Sequence, residues 1–196
     1  MKLELKEQIV SMRNKDLEMR EGLLKKGVLY DGYDEEMEAL HNRNAEELKK
    51  IIDEYGWPGK SLVGKEGANA AFCIAQHAIS KPVLQRQFLV ELKKAVANCE
   101  ATPNQEACLE DRILFNEGKP CKYGMLFDWD DDGNLIANVD DEALVNERRA
   151  KLGLSTLSEA LKKHREEVEN EGGGPPKDIK KHKQLGLEWA RRVGWQ

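Results

Sequence analysis

The sequence predicts a mainly α protein: a single-domain helical bundle around one buried central helix, with a small β-hairpin near residues 121–139. Three observations lead there. Apolar residues recur at three- and four-residue spacing through most of the 196 residues, which is the helical period. Between Ala68 and Ala75 only Asn69 is polar and most residues are small, so this helix is apolar all round and belongs inside. The period changes only between Cys121 and Val139, where two short extended runs flank Asp130-Asp131-Asp132-Gly133-Asn134.

The first helix carries Leu5, Ile9, Met12, Met19 and Leu23 on one stripe, and Asp16 occupies the stripe position between the two methionines. Arg20 follows Asp16 by one turn, close enough for an intrahelical ion pair. Asp34 can cap a second helix whose stripe runs Met37, Leu40, Leu48, Ile51 and Tyr55, with His41 and Asn44 on the same face. Asn44-Ala45-Glu46-Glu47 also has the spacing of a capping box, which would start a fresh helix there. Gly56-Trp57-Pro58-Gly59 must stop the second helix, because Pro58 holds Trp57 extended and removes a backbone donor.

The central helix runs on into Gln76-His77, so an amide and an imidazole arrive together at its buried end. Buried polar groups need partners, since an unpaired one costs about 1–3 kcal/mol. Ser80-Lys81-Pro82 starts the next helix, with Leu84, Phe88, Leu92, Ala95, Val96 and Cys99 on its stripe. After Thr102-Pro103-Asn104 a helix from about Gln105 to Glu117 turns Asp111 inward, one turn from Ala107 and Leu114, while Arg112 points about 100° away. A helix over residues 142–152 ends at Gly153, and Ser155 can cap another that runs through Leu161 to Val168. The expected organisation is a helical domain over 1–171, a Gly/Pro linker over 172–176, and a basic amphipathic helix over 177–196 that docks on the acidic body.

Composition narrows the function classes. Charged residues make up 34% of the chain and no apolar run approaches the roughly 18 residues of a membrane span, so no membrane partner is expected. Met1 to Gln8 lack the apolar stretch of a signal peptide, which points to the cytoplasm. The segment 177–196 carries a net charge of +4, which leaves a body with 25 basic against 34 acidic residues. An acidic body argues against nucleic acid as a partner. Cys73, Cys99, Cys108 and Cys121 show no CxxC spacing and read as reduced thiols rather than zinc ligands. Asp128, Asp130, Asp132 and Gly133 open like a calcium loop, but Val139 stands where its bidentate Glu is needed. No metal and no cofactor are expected.

The order of motifs resembles an uncharacterised bacterial family, domain-of-unknown-function family 6624. The resemblance covers roughly Asp16 to Leu161. It rests on Asp16 with Arg20, Asn44, Tyr55-Gly56-Trp57-Pro58, Gly64, Gln76-His77, Gln85, Asp111-Arg112, Gly118, Tyr123-Gly124, and Arg148-Arg149 leading to Gly153-Leu154. The chain departs from the family pattern at His41, where an Asp is expected, and around Cys121 to Leu126, where a Gln-x-Tyr-Gly-Thr-Gln run is expected. The resemblance implies a fold and a site, but no activity.

Asp16, His41, Asn44, His77 and Asp111 each interrupt a core-facing stripe of a different helix or helix segment. The simplest arrangement gathers them around Gln76-His77. His77 and Asp111 are the candidate catalytic pair, with Asp111 or Asp16 fixing the imidazole tautomer. Gln76, Arg112, Asp16, Arg20, Asn44 and, from the resemblance, Tyr123 are the candidate binding residues for a small polar or anionic ligand. An enzyme using His77 for proton transfer is the first reading. A non-catalytic ligand- or protein-binding module is the second, and a calcium-dependent module the third. Cys73, one turn before His77, is the one candidate nucleophile.

Overall fold

Helical periodicity decides most of the architecture. A computed structural model describes residues 1–29 and 32–196, and among these it is mainly α with one small hairpin. The elements are α1 (Leu3–Lys25), α2 (Glu35–Tyr55), α3 (Lys60–His77), α4 (Pro82–Ala97), α5 (Pro103–Asn116), β1 (Asp128–Trp129), β2 (Leu135–Ile136), α6 (Glu142–Lys151), α7 (Leu157–Asn170) and α8 (Ile179–Val193). Residues 1–29 and 33–109 form one compact unit, and residues 110–196 make up nearly all of a second, so the boundary falls inside α5.

In the first unit α3 packs on α1, α2 and α4. Its alanines explain this: Ala68, Ala70, Ala71 and Ala75 are buried and let neighbouring backbones come close, while Ile9, Leu48, Ile74, Phe88, Leu92 and Leu109 fill the space between. The helix starts earlier than its apolar run suggests. It opens at Lys60 and is interrupted at Gly64, whose φ of 71° only glycine adopts without strain. Glu100 holds that opening: its carboxylate accepts from the Ser61 N–H at 2.8 Å, and its Cβ lies 2.6 Å from where a side chain on Gly59 would begin.

Asp34 caps α2 as expected, its carboxylate accepting from the Met37 N–H. The helix then runs unbroken past Asn44, so the fresh start expected at Asn44 is overturned. The Asn44 side chain instead donates to the Met12 carbonyl on α1 at 3.3 Å, and a bond between helices replaces a local cap. Pro82 opens α4, which ends at Ala97. Cys99 therefore leaves the stripe assigned to it and is exposed, with a φ of 60°.

In the second unit β1 and β2 pair antiparallel, Asp128 opposite Ile136 and Trp129 opposite Leu135. The strands are shorter than the sequence suggests. Asp130 closes the turn, accepting from the Asp132 and Asn134 N–H groups and from the Asn134 amide, so a local hydrogen-bonded turn accounts for the acidic run. Thr156, not Ser155, caps α7, and with Glu159 it forms a full capping box. In α8 the buried residue is Ala190, and beyond the helix Trp195, while Leu185, expected on the inward face, is exposed. Lys183 of α8 pairs with Asp131 in the hairpin turn at 2.5 Å.

Candidate functional site

Asp16 is 1% exposed although it is a carboxylate on a helix. It shares the stripe of Ile9 and Leu23, so α1 carries it inward with them, and burial alone would oppose its ionisation. Two imidazoles resolve that cost. His41 of α2 places Nε2 2.9 Å from Asp16 Oδ1, and His77 at the end of α3 places Nδ1 2.6 Å from Asp16 Oδ2. Burial raises the Asp16 pKa, but the hydrogen bonds donated by His41 and His77, and the positive charge each ring brings when protonated, together outweigh it and hold the group well below the usual carboxylate range.

Because Asp16 is ionised, both imidazoles must donate to it. His41 then carries its proton on Nε2, and its Nδ1 accepts from the Tyr33 hydroxyl at 2.6 Å. His77 carries its proton on Nδ1, which leaves the Nε2 lone pair as an acceptor. The two rings lie 4.9 Å apart at a 40° tilt. Tyr33, His41, Asp16 and His77 therefore form one chain of hydrogen bonds that begins at a partly buried phenol and ends at an imidazole whose side chain is 32% exposed.

Cys73 lies one turn before His77, and burial first, then the Asp16 charge, push its thiol up to about 11. Arg13 of α1 acts on the thiol in the opposite direction. At neutral pH Cys73 is a thiol and not a ready nucleophile.

The sequence-derived candidates separate. Asp16, Arg20, Asn44, Gln76 and His77 belong to the first unit. Arg20 is half-buried one turn beyond Asp16, and Asn44 ties α2 to α1. Gln76 is buried, and the fully buried Gln85 side chain donates to the carbonyls of Ala75 at 2.9 Å and Gln76 at 3.1 Å, which fixes the end of α3 from which His77 projects.

Asp111, Arg112 and Tyr123 belong to the second unit. Asp111 is fully buried, and its carboxylate is wrapped by backbone: it accepts from the N–H groups of Lys122 at 2.7 Å, Tyr123 at 3.1 Å and Met125 at 3.0 Å. Burial pushes its pKa upward, against those three N–H donors. Arg149 holds the same segment from the other side, donating to the Tyr123, Gly124 and Ser155 carbonyls. Tyr123 takes part through its main chain in these bonds. The carboxylate that orients His77 is thus Asp16, whereas both Asp111 oxygens are taken up in organising residues 122–125.

Sequence reasoning left out Tyr33, the residue that steadies His41. It precedes the α2 cap and sits on no stripe, so periodicity carries no signal for it.

A helical unit holding a buried carboxylate between two histidines is the class that fold and site define. The chain belongs to the Family of unknown function (DUF6624), whose model matches residues 3–169 and stops short of α8. No curated protein and no solved structure matches the chain. Among the described residues no helix is long and apolar enough to cross a membrane.

Proposed function

We propose that the protein is an enzyme acting on a small polar or anionic metabolite by acid–base chemistry at His77. One observation carries the reading: a fully buried, ionised Asp16 holds Nδ1–H of an imidazole that is one-third exposed, with a bond of 2.6 Å. That bond fixes the tautomer with Nε2 as the proton acceptor. A proton taken at Nε2 creates an imidazolium whose charge Asp16 already balances, and Asp16 itself stays ionised because its pKa lies so low. His41 and Tyr33 keep the carboxylate from turning away.

A positioned general base contributes about 10²–10⁴ in rate. The test is conversion of pooled polar and anionic metabolites, followed by mass spectrometry, with wild type beside His77→Ala and Asp16→Asn. Wild type converts a substrate; folded His77→Ala loses turnover by about 10²–10⁴, and added imidazole restores part of it. Undiminished turnover by a folded His77→Ala would refute the reading.

A further inference from the structure

Asp16, Cys73 and His77 bring one oxygen, one sulfur and one nitrogen within 4.8 Å of one another. Cys73 and His77 are four residues apart on α3, so their side chains leave the same face of that helix. Asp16 comes from α1, which packs against it. Three protein donors held by two packed helices match the ligand count of a zinc site that keeps one position for water or a further ligand. The donor set also discriminates: thiolate with imidazole suits Zn²⁺, whereas Mg²⁺ and Ca²⁺ take oxygen ligands.

The geometry needs modest adjustment. Bonds of about 2.0–2.3 Å place the ligand atoms of a tetrahedral ion roughly 3.3–3.8 Å apart. Asp16 and His77 at 2.6 Å must therefore part by about 1 Å, and the Cys73 sulfur must close by at most a similar amount.

We propose that Asp16, Cys73 and His77 form a Zn²⁺ site, and that the ion switches His77 off as a base. The second clause rests on the acid–base reading above; the binding stands without it. Without metal, His77 has its proton on Nδ1 and its acceptor at Nε2. When Nδ1 gives its lone pair to Zn²⁺, the neutral ring carries its proton on Nε2, which becomes a donor and can no longer accept a proton. The Cys73 thiol releases its proton to solvent as the sulfur–zinc bond forms, so one proton leaves per ion bound. Asp16 gives Oδ2 to the ion and keeps His41 on Oδ1. The thiolate and carboxylate neutralise Zn²⁺, and Arg13 retains its pairing with Glu66.

The test is titration of the full, reduced chain with Co²⁺ as a spectroscopic probe, followed by Zn²⁺ displacement. Wild type should show one equivalent of Co²⁺ with a thiolate charge-transfer band and strong tetrahedral visible bands, and release one proton. Cys73→Ser should lose the charge-transfer band, His77→Gln should weaken binding at least tenfold, and Cys99→Ser should bind like wild type. Absence of the band in wild type, or its persistence in Cys73→Ser, overturns the site. Nitrogen NMR of His77 with and without Zn²⁺ tests the switch: Nε2 moving from acceptor to donor supports it, and an unchanged tautomer in a protein that binds zinc refutes it. Neither readout needs a substrate, so failure here is distinct from undiminished turnover in His77→Ala.

Discussion

Replacing Asp16 by Asn keeps the shape of the side chain and removes its charge. In the wild type, Asp16 Oδ1 and Oδ2 each accept from a different imidazole, at 2.9 Å and 2.6 Å. Asn has one acceptor, so one of the two N–H donors meets an NH₂ group instead. A hydrogen bond to a charged group contributes about 1.5–3 kcal/mol, and a buried donor left without an acceptor costs about 1–3 kcal/mol. With His41 buried and His77 partly solvated, the expected loss is about 3 kcal/mol, or roughly 10 °C in Tm for a chain of this length. Urea unfolding at neutral pH measures it. The pH dependence adds a second check. The native pKa of Asp16 lies below its ordinary 3.8, so its contribution is fully present above that value and is lost as pH falls through the depressed native one. The gap between wild type and Asp16→Asn should hold from neutrality down to about pH 4 and narrow below it. An Asp16→Asn variant as stable as wild type, or a gap unchanged in acid, would refute the argument.

Other consequences can be measured separately. His77→Ala should cost about 1.5–3 kcal/mol, the contribution of its one bond to the Asp16 carboxylate, whereas His41→Ala should cost more because it removes bonds to both Asp16 and Tyr33. Equal losses in urea unfolding would contradict the asymmetry. Gln85→Ala should cost about 2 kcal/mol by removing its two hydrogen bonds to the Ala75 and Gln76 carbonyls, and amide exchange at the end of α3 should speed up with it. At neutral pH iodoacetamide should modify exposed Cys99 well before Cys73, whose thiol is pushed up to about 11; equal rates would mean that Cys73 is not desolvated. Asp111→Asn should destabilise residues 110–196 by about 2–3 kcal/mol. Because the Asp111 pKa is raised, its protonated form is favoured in the fold, so its contribution fades as pH rises, the reverse of Asp16. Limited proteolysis around residues 122–125 reports it.

Much of this was legible along the chain. The α1 and α2 stripes, the Asp34 cap, the Pro82 start and the small-residue core of α3 are local signals, set by which residues a 3.6-residue turn brings to one side. That Asp16, His41 and His77 face inward follows from the same periodicity, because each replaces an apolar residue at a core position. Stripe membership says that a polar side chain needs a partner inside; it does not say which one. Asp16 and Asp111 looked equivalent in this respect, and Asn44 looked like a cap.

The pairing was decided by packing alone. His77 meets Asp16 because α3 lies against α1, while Asp111 finds its donors in the backbone that follows α5. Asn44 reaches Met12 because α2 stays helical through it. The Cys73–His77 spacing was visible, but a third donor 57 residues before Cys73 is brought near only by helix packing, which is why no ligand set was read from cysteine spacing. Sequence determined which groups would be buried, since burial follows periodicity; the tertiary structure determined what each buried group touches, since those contacts join residues far apart in the chain.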